Sequence, residues 1–126
     1  MKRYSLVCLL LTATYTSAET FSIACYNQVA TQENGQAIHI KAASISSDET
    51  HSILKIDGTN TNLPPLSFDS MIHQTSATSS DGSTLSITAV DSPAPNAGAL
   101  TVALTDVNGN SRWYMLAAGC RTYKTR

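Results

Sequence analysis

Three histidines are the side chains of this 126-residue chain best suited to proton transfer near neutral pH. Nucleophilic catalysis needs a nucleophile, a base and an orienting group within hydrogen-bond reach of one another. His39 and His73 fall on the polar phase of predicted strands, and the sequence has no Gly-x-Ser-x-Gly elbow. We therefore predict that His39, His51 and His73 are exposed surface residues, that the chain has no catalytic residues, and that it is not an enzyme.

One segment, 106–110, is spaced like the opening of a calcium-binding loop. Such a loop needs glycine at its sixth position and a bidentate Glu at its twelfth. This chain has Ser111 and Ala117 at those positions. A hairpin turn around Asn108-Gly109 explains the same residues without a metal, so we expect no metal ion and no cofactor.

The cysteines indicate a disulfide. Cys8 belongs to the predicted signal peptide, which leaves Cys25 and Cys120 near the two ends of the mature chain. An even, isolated pair in an oxidising compartment usually becomes a disulfide. The bond would close a loop of nearly the whole domain, and chain-entropy arithmetic gives about 4–5 kcal/mol for a loop that long.

The N-terminus has the three parts of a secretory signal: a basic start, an apolar run at 6–11 and small residues that end at Ala18. The apolar run is far shorter than the roughly 20 residues of a membrane span. We predict a cleaved signal peptide at 1–18 and a single mature domain at 19–126, secreted or periplasmic. Without Lys2 and Arg3, six Lys and Arg stand against nine Asp and Glu. This balance predicts no nucleic-acid partner, and we expect no stable membrane anchor.

Apolar and polar residues alternate along most of the mature chain, which predicts about seven short strands and no helix. Asn34-Gly35 and Asn108-Gly109 favour type I′ hairpin turns between strands. The segment 113–118 is apolar on both phases, which predicts a central strand. The predicted inward phases are Phe21, Ile23, Cys25 and Val29; Ile38, Ile40 and Ala42; Leu66, Phe68, Ser70 and Ile72; Leu85, Ile87 and Ala89; and Leu100, Val102 and Leu104.

These patterns predict an all-β fold. Two architectures fit: a small antiparallel β-sandwich of the immunoglobulin-like type, or a compact barrel of about seven strands. In either, the disulfide joins the first and last strands. Aromatic residues are concentrated in these two terminal segments, and we take them as the candidate binding surface: Tyr26, Trp113, Tyr114 and Tyr123. Because Trp113 and Tyr114 are adjacent on a strand, only one of them can face the core.

Export, small size and the lack of a catalytic constellation favour a binding module that acts on another protein. Inhibitor, immunity, effector, adhesin and envelope-chaperone roles all fit this class. One Cys near each end of a small β-domain resembles the plan of periplasmic lysozyme inhibitors, but that family's Ser-Gly-x-x-Tyr pattern is absent, and no membership is assigned. The alternative is a carbohydrate-binding module that uses the polar segment 57–62 and an outward aromatic, and a small hydrolase ranks third.

Overall fold

The computed structural model describes residues 20–68 and 71–125. The predicted signal peptide, Cys8, Asp69 and Ser70 lie outside the described residues. No helix long and apolar enough to cross a membrane occurs within the described ranges.

Within these described ranges, eight antiparallel strands form one sheet in the order β4-β3-β2-β1-β8-β7-β6-β5. Because β1 pairs with β8, the sheet curls into a nearly closed barrel whose two unpaired edges are β4 and β5. The all-β fold is confirmed, and of the two predicted architectures the chain adopts the barrel, with one strand more than the approximate count. The strands are β1 (Thr20–Gln32), β2 (Ala37–Ser47), β3 (Ser52–Ile56), β4 (Thr59–Leu63), β5 (Ile72–Thr78), β6 (Thr84–Val90), β7 (Gly98–Thr105) and β8 (Ser111–Thr125).

The disulfide is present and joins the first and last strands, as predicted. The Cα atoms of Cys25 and Cys120 are 4.5 Å apart, and both residues are buried in the barrel. A Cα separation of about 4.5 Å is typical of a cross-strand pair without backbone hydrogen bonds between its members. The disulfide is compatible with an oxidising extracellular compartment.

Beside this disulfide, the ladder between β1 and β8 is interrupted. Residue pairing between the two strands stops at Ala24 on β1 and resumes at Ala30. Within the gap, Asn27 and Gly119 adopt positive φ values of 56° and 70°. The Gln28 side chain bridges the gap, because its amide donates to the Ala118 carbonyl at 3.1 Å and accepts from the Ala118 N–H at 3.3 Å. The disulfide and this amide thus hold the strands together where backbone bonds are missing.

The interruption changes which side chains face inward. Residues Phe21, Ile23 and Cys25 are buried as predicted, but Val29 is 57% exposed, because the bulge at Asn27 shifts the alternation by one. A similar irregularity in β2 buries Ala43 in place of the predicted Ala42. The predicted phases of β6 and β7, which have no bulge within their inward runs, are confirmed.

The prediction for β5 was wrong in phase. His73 is 2% exposed and Ile72 is 50% exposed, the reverse of the sequence prediction. Leu66 and Phe68 belong to a separate segment rather than to this strand, so their alternation does not continue into β5. His73 is therefore a buried residue, whereas His39 and His51 are exposed as predicted.

The hairpin turns also differ in type from the prediction. Asn34 and Asn108 do not have the positive φ that a type I′ turn requires, and only the following glycines do, at 84° and 85°. The Gly35 and Gly109 N–H groups each donate to the carbonyl three residues earlier. This pattern is that of a type I turn followed by a glycine bulge. A type I′ backbone occurs instead at Asp57-Gly58.

The barrel has two different ends. The open end carries the four hairpin turns that connect β1–β2, β3–β4, β5–β6 and β7–β8. The closed end carries the β2–β3 and β6–β7 connections and the covering segment, residues 64–68, which links β4 to β5. The Pro64 carbonyl accepts from the Ser52 hydroxyl at 2.7 Å and from the Thr75 hydroxyl at 2.9 Å. The covering segment thus joins β3 to β5 across the unpaired edges, and Leu66 is buried.

Candidate functional site

The four aromatic residues singled out from the sequence do not form one surface. Trp113 faces the barrel interior at the open end and is half-buried. Tyr26 and Tyr114 face outward and are 64% and 40% exposed. Tyr123 also faces outward, nine residues further along β8 than Tyr114, which is about 30 Å along a strand. Its ring lies 5.7 Å from the Arg121 guanidinium.

Two aliphatic residues that the sequence did not single out face outward on the same two strands as Tyr26 and Tyr114. Val29 and Leu116 are 57% and 60% exposed. The outward direction of Val29 and Leu116 follows from the pairing of the buried residues Ala30 and Met115, because the neighbouring positions on the two strands point outward. We call Tyr26, Val29, Tyr114 and Leu116 the outer face. The exposure of Leu116 could have been predicted, because segment 113–118 is apolar on both phases and one phase must face outward. The exposure of Val29 could not, because the bulge at Asn27 changes the phase of β1.

The three histidines lie on separate elements. His39 is on β2, opposite Val29. His51 is in the β2–β3 turn, where its Nδ1 lies 3.4 Å from an Asp48 carboxylate oxygen. The Thr50 hydroxyl and the Thr50 and His51 N–H groups donate to Asp48 and lower the pKa of that carboxyl to about 2. The Thr50 hydroxyl also lies 3.0 Å from the His51 Nδ1, but its proton is donated to Asp48 at 2.7 Å, and the three residues together cap an exposed turn.

His73 packs in the closed end among aromatic rings. Its ring stacks on Phe21 with centroids 4.1 Å apart and meets Phe68 edge-on at 5.9 Å. Its Nδ1 lies 2.8 Å from the Ser67 carbonyl, and a carbonyl can only accept, so Nδ1 carries a proton. Nε2 is buried and has no hydrogen-bond partner among residues 20–68 and 71–125. The imidazole thus ties β5 to the covering segment and fills the interior.

A cavity of about 390 Å³ occupies the open end of the barrel. Its lining is almost entirely apolar and comes from six strands. Trp113, the single tryptophan of the chain, is one wall. The other lining residues are Ile38, Ile40, Leu54, Ile56, Thr59, Thr61, Leu85, Val102 and Leu104.

The turns around this cavity are acidic. The Ser79 hydroxyl and the Ser83 N–H donate to Asp81 and lower the pKa of its carboxyl to about 2. The Asn110 and Asn108 N–H groups, each at 2.9 Å, likewise lower the pKa of Asp106.

Two further carboxylates belong to the same turns, those of Glu33 and Asp57, and one guanidinium lies beside them. Arg112 is 3.7 Å from Glu33. Asp57 accepts from the Ala42 N–H at 2.9 Å. Among the described residues, four carboxylates lie in these turns and two cations, Arg112 and Lys55, lie on the adjoining ends of β8 and β3, which gives the open end a negative excess.

The segment 106–110 forms the β7–β8 hairpin turn, with the Asp106 carboxylate bonded to backbone N–H groups of its own turn. In residues 20–68 and 71–125, no group of three or more His, Cys, Asp and Glu side chains is placed to hold a metal ion.

Two of these geometries, the outer face and the open-end cavity, offer apolar contact. The outer face and the open-end cavity both present apolar atoms to solvent in a rigid frame, and such surfaces act by removing apolar area from water. Comparison with known proteins adds no family: no protein-family model, no curated protein and no solved structure matches this chain.

Proposed function

We propose that the chain is an exported, non-catalytic binding module that engages a protein partner through the outer face. The observation that carries the proposal is the exposure of four large apolar side chains, between 40% and 64%, on outward-facing positions of two adjacent strands, with Val29 and Leu116 across from each other. Water-exposed apolar patches on small proteins commonly mark interaction surfaces. Tyr in particular is enriched at the energetic centres of interfaces.

The frame beneath the outer face is rigid. β1 and β8 lie at the middle of the strand order, and the buried disulfide joins them directly behind this surface. A surface that is already ordered loses little conformational entropy on binding, so more of the contact energy remains as affinity. Export to the periplasm or the medium is part of the proposal, and it rests on the predicted signal peptide together with a disulfide suited to an oxidising compartment.

Affinity capture with matched variants tests this function. The oxidised mature chain, residues 19–126, is immobilised and exposed to envelope and secreted fractions, beside Leu116→Ser and Ile72→Ser. Leu116 and Ile72 are exposed aliphatic residues, 60% and 50%, but Ile72 lies on β5, three strands away. We expect one stoichiometric partner that wild type and Ile72→Ser retain and Leu116→Ser loses.

Two other outcomes contradict the proposal. A partner retained equally by all three baits binds elsewhere and excludes the outer face. If folded bait retains no protein, the partner is not a protein, and a glycan array becomes the relevant measurement. Glycan binding abolished by Tyr114→Ser would then favour the carbohydrate-binding alternative, for which the outward ring of Tyr114, and not Trp113, is the candidate platform.

A further inference from the structure

We propose that the open-end cavity is a binding site for a small, uncharged apolar molecule. The site is separate from the outer face, because Trp113 points into the barrel while its neighbour Tyr114 points away from it. The inference therefore stands whether or not the outer face binds a protein.

The size of the cavity sets the size of the ligand. An apolar protein cavity of about 150 Å³ is large enough to bind benzene. The open-end cavity, at about 390 Å³, is well over twice that size and lies at the lower end of the range of ligand pockets. A molecule of two or three small rings, or a short branched chain, matches this volume.

The walls favour apolar atoms. Ile38, Ile56, Leu85 and Trp113 are large side chains that remain half-buried because nothing in the described chain covers them. Burying their remaining exposed area against a ligand would be favourable by roughly 25 cal/mol per Å². Among the lining residues the polar groups are few: the hydroxyls of Thr59 and Thr61 on β4 and the indole N–H of Trp113.

The buried residues at the inner end of the cavity confine a ligand to the open end of the barrel. Ile40, Leu54 and Val102 line the cavity and are at most 4% exposed, so the barrel below them is already filled. Eight-stranded barrels are narrow enough for side chains alone to fill them or for one small ligand to enter. In this barrel, side chains fill the closed end, and the open end has room for one small ligand.

The charge around the opening selects against anions. Glu33, Asp57, Asp81 and Asp106 occupy the surrounding turns, and the lowered pKa values of Asp81 and Asp106 keep those two carboxylates ionised well below neutral pH. Arg112 at the start of β8 is near Glu33, and Lys55 at the end of β3 is the second cation among the described residues there, so four carboxylates stand against two cations. The nearest lysines on β2 and β3, Lys41 and Lys55, are exposed residues outside the lining. An anionic amphiphile would meet this negative excess, whereas an uncharged molecule would not.

Fluorescent probes test the proposal on the oxidised mature chain. N-phenyl-1-naphthylamine is uncharged and fluoresces in apolar surroundings, and 1-anilinonaphthalene-8-sulfonate has the same ring system with one added negative charge. We expect saturable binding of the uncharged probe with one site per chain. Because Trp113 is the chain's only tryptophan, energy transfer from it to the probe reports on binding next to the cavity wall. The sulfonate should bind at least about tenfold more weakly.

A pair of adjacent substitutions on β4 locates the probe. Thr61 lines the cavity, whereas Asn60, its neighbour on the strand, is exposed on the opposite phase. Thr61→Phe should fill the cavity and weaken probe binding at least about tenfold, and Asn60→Phe should leave it near the wild-type value. Both variants keep the barrel core, and far-ultraviolet circular dichroism checks that each is folded.

Three results would overturn the proposal. The first is no saturable binding of the uncharged probe to folded protein. The second is equal affinity of wild type and Thr61→Phe, which would place the probe elsewhere. The third is loss of binding in Leu116→Ser but not in Thr61→Phe, which would assign the probe to the outer face. Tighter binding of the sulfonate than of the uncharged probe would contradict the charge selection.

Discussion

The two ends of the barrel are built from the same alternation of inward and outward residues, yet only one end is filled. At the closed end, Phe21, Leu66 and His73 are each at most 2% exposed. At the open end, the equivalent inward positions carry Ile38, Leu85 and Trp113, which remain half-buried around a cavity of about 390 Å³.

The difference comes from the connections between strands rather than from the strands. Four tight hairpins join strands at the open end, and each of these turns is too short to extend over the barrel interior. At the closed end, the β4–β5 connection is long enough to cross the barrel, and its prolines keep it extended. The Leu66 N–H donates to the Ser47 hydroxyl, and Ser67 pairs with Gln74. A long connection therefore closes one end and leaves the other available.

Removing the disulfide, which both ends share, should give one of the largest losses of stability. The disulfide lies between them, so Cys25→Ala combined with Cys120→Ala should lower the free energy of unfolding by about 4 kcal/mol, because the unfolded chain regains its loop entropy. Urea denaturation of the double variant beside oxidised wild type measures the change. A loss below about 1 kcal/mol would show that the Gln28 bridge and the flanking ladders are sufficient to hold β1 to β8.

Truncating one aromatic ring at each end should cost different amounts of stability. Phe21→Ala at the closed end should cost about 3–5 kcal/mol, because it leaves a hole in packed interior. Trp113→Ala at the open end should cost about 1–2 kcal/mol, because a half-buried side chain gives up less buried area despite its greater size. Thermal and urea unfolding of the two variants measure the difference. An equal or larger cost at Trp113 would contradict the distinction between a filled and an open end.

Acid should act on the closed end through Asp91. Burial raises the pKa of this carboxyl, but hydrogen bonds from Lys124 and Thr122, both at 2.9 Å, and the charge of Lys124 together bring the pKa below its ordinary value. The stability from this pair is complete above the unfolded pKa of about 3.9 and is lost as pH falls through the lower folded value.

Asp91→Asn should therefore cost about 1–2 kcal/mol at pH 7 and progressively less as the pH falls below 4. Urea unfolding at pH 7, 4 and 2.5 measures this dependence. Asp81→Asn at the open end is the comparison: the pKa of that carboxyl is also lowered, so its effect should fall over the same acid range, but at pH 7 the effect should be smaller because the carboxylate is exposed. The interpretation fails if the cost of Asp91→Asn is the same at all three pH values. The basic C-terminal residues belong to β8 as far as Thr125.

The smallest effects should come from short polar side chains that point inward. Ser52→Ala at the closed end removes a hydrogen bond to the Pro64 carbonyl and should cost about 1 kcal/mol. Thr61→Leu at the open end adds apolar atoms to the cavity and should be neutral or stabilising by up to about 1 kcal/mol. Differential scanning calorimetry resolves shifts of this size. Destabilisation by Thr61→Leu would indicate that the cavity is too small or too rigid to receive added atoms.

Much of the fold could be predicted because alternation survives wherever a strand is regular. β6 and β7 have the predicted inward residues, and the disulfide followed from an even pair of cysteines in a chain predicted to be exported. β4 was missed because its residues Thr59–Asn62 are all polar, which suits an exposed edge strand but gives no alternation of hydrophobicity.

The wrong predictions of inward and outward residues arise where the alternation along the backbone shifts by one position. The bulge at Asn27 cannot be read from alternation, so Val29 was placed in the core and the outer face was only half recognised. The break between Phe68 and Ile72 inverted the prediction for His73. The open-end cavity was not predicted at all, because its lining residues look like ordinary core positions, and a sequence does not show how far along the barrel the packing continues.

The most direct test of the difference between the two ends is a two-dimensional NMR titration of the oxidised mature chain with N-phenyl-1-naphthylamine. We predict saturable shifts of the Trp113 indole signal and of the Ile38 and Leu85 methyl groups, with Phe21, His73 and Leu116 unchanged. Shifts confined to Leu116 and its neighbours, or no saturable shift at the open end, would contradict the assignment of that end as a ligand site.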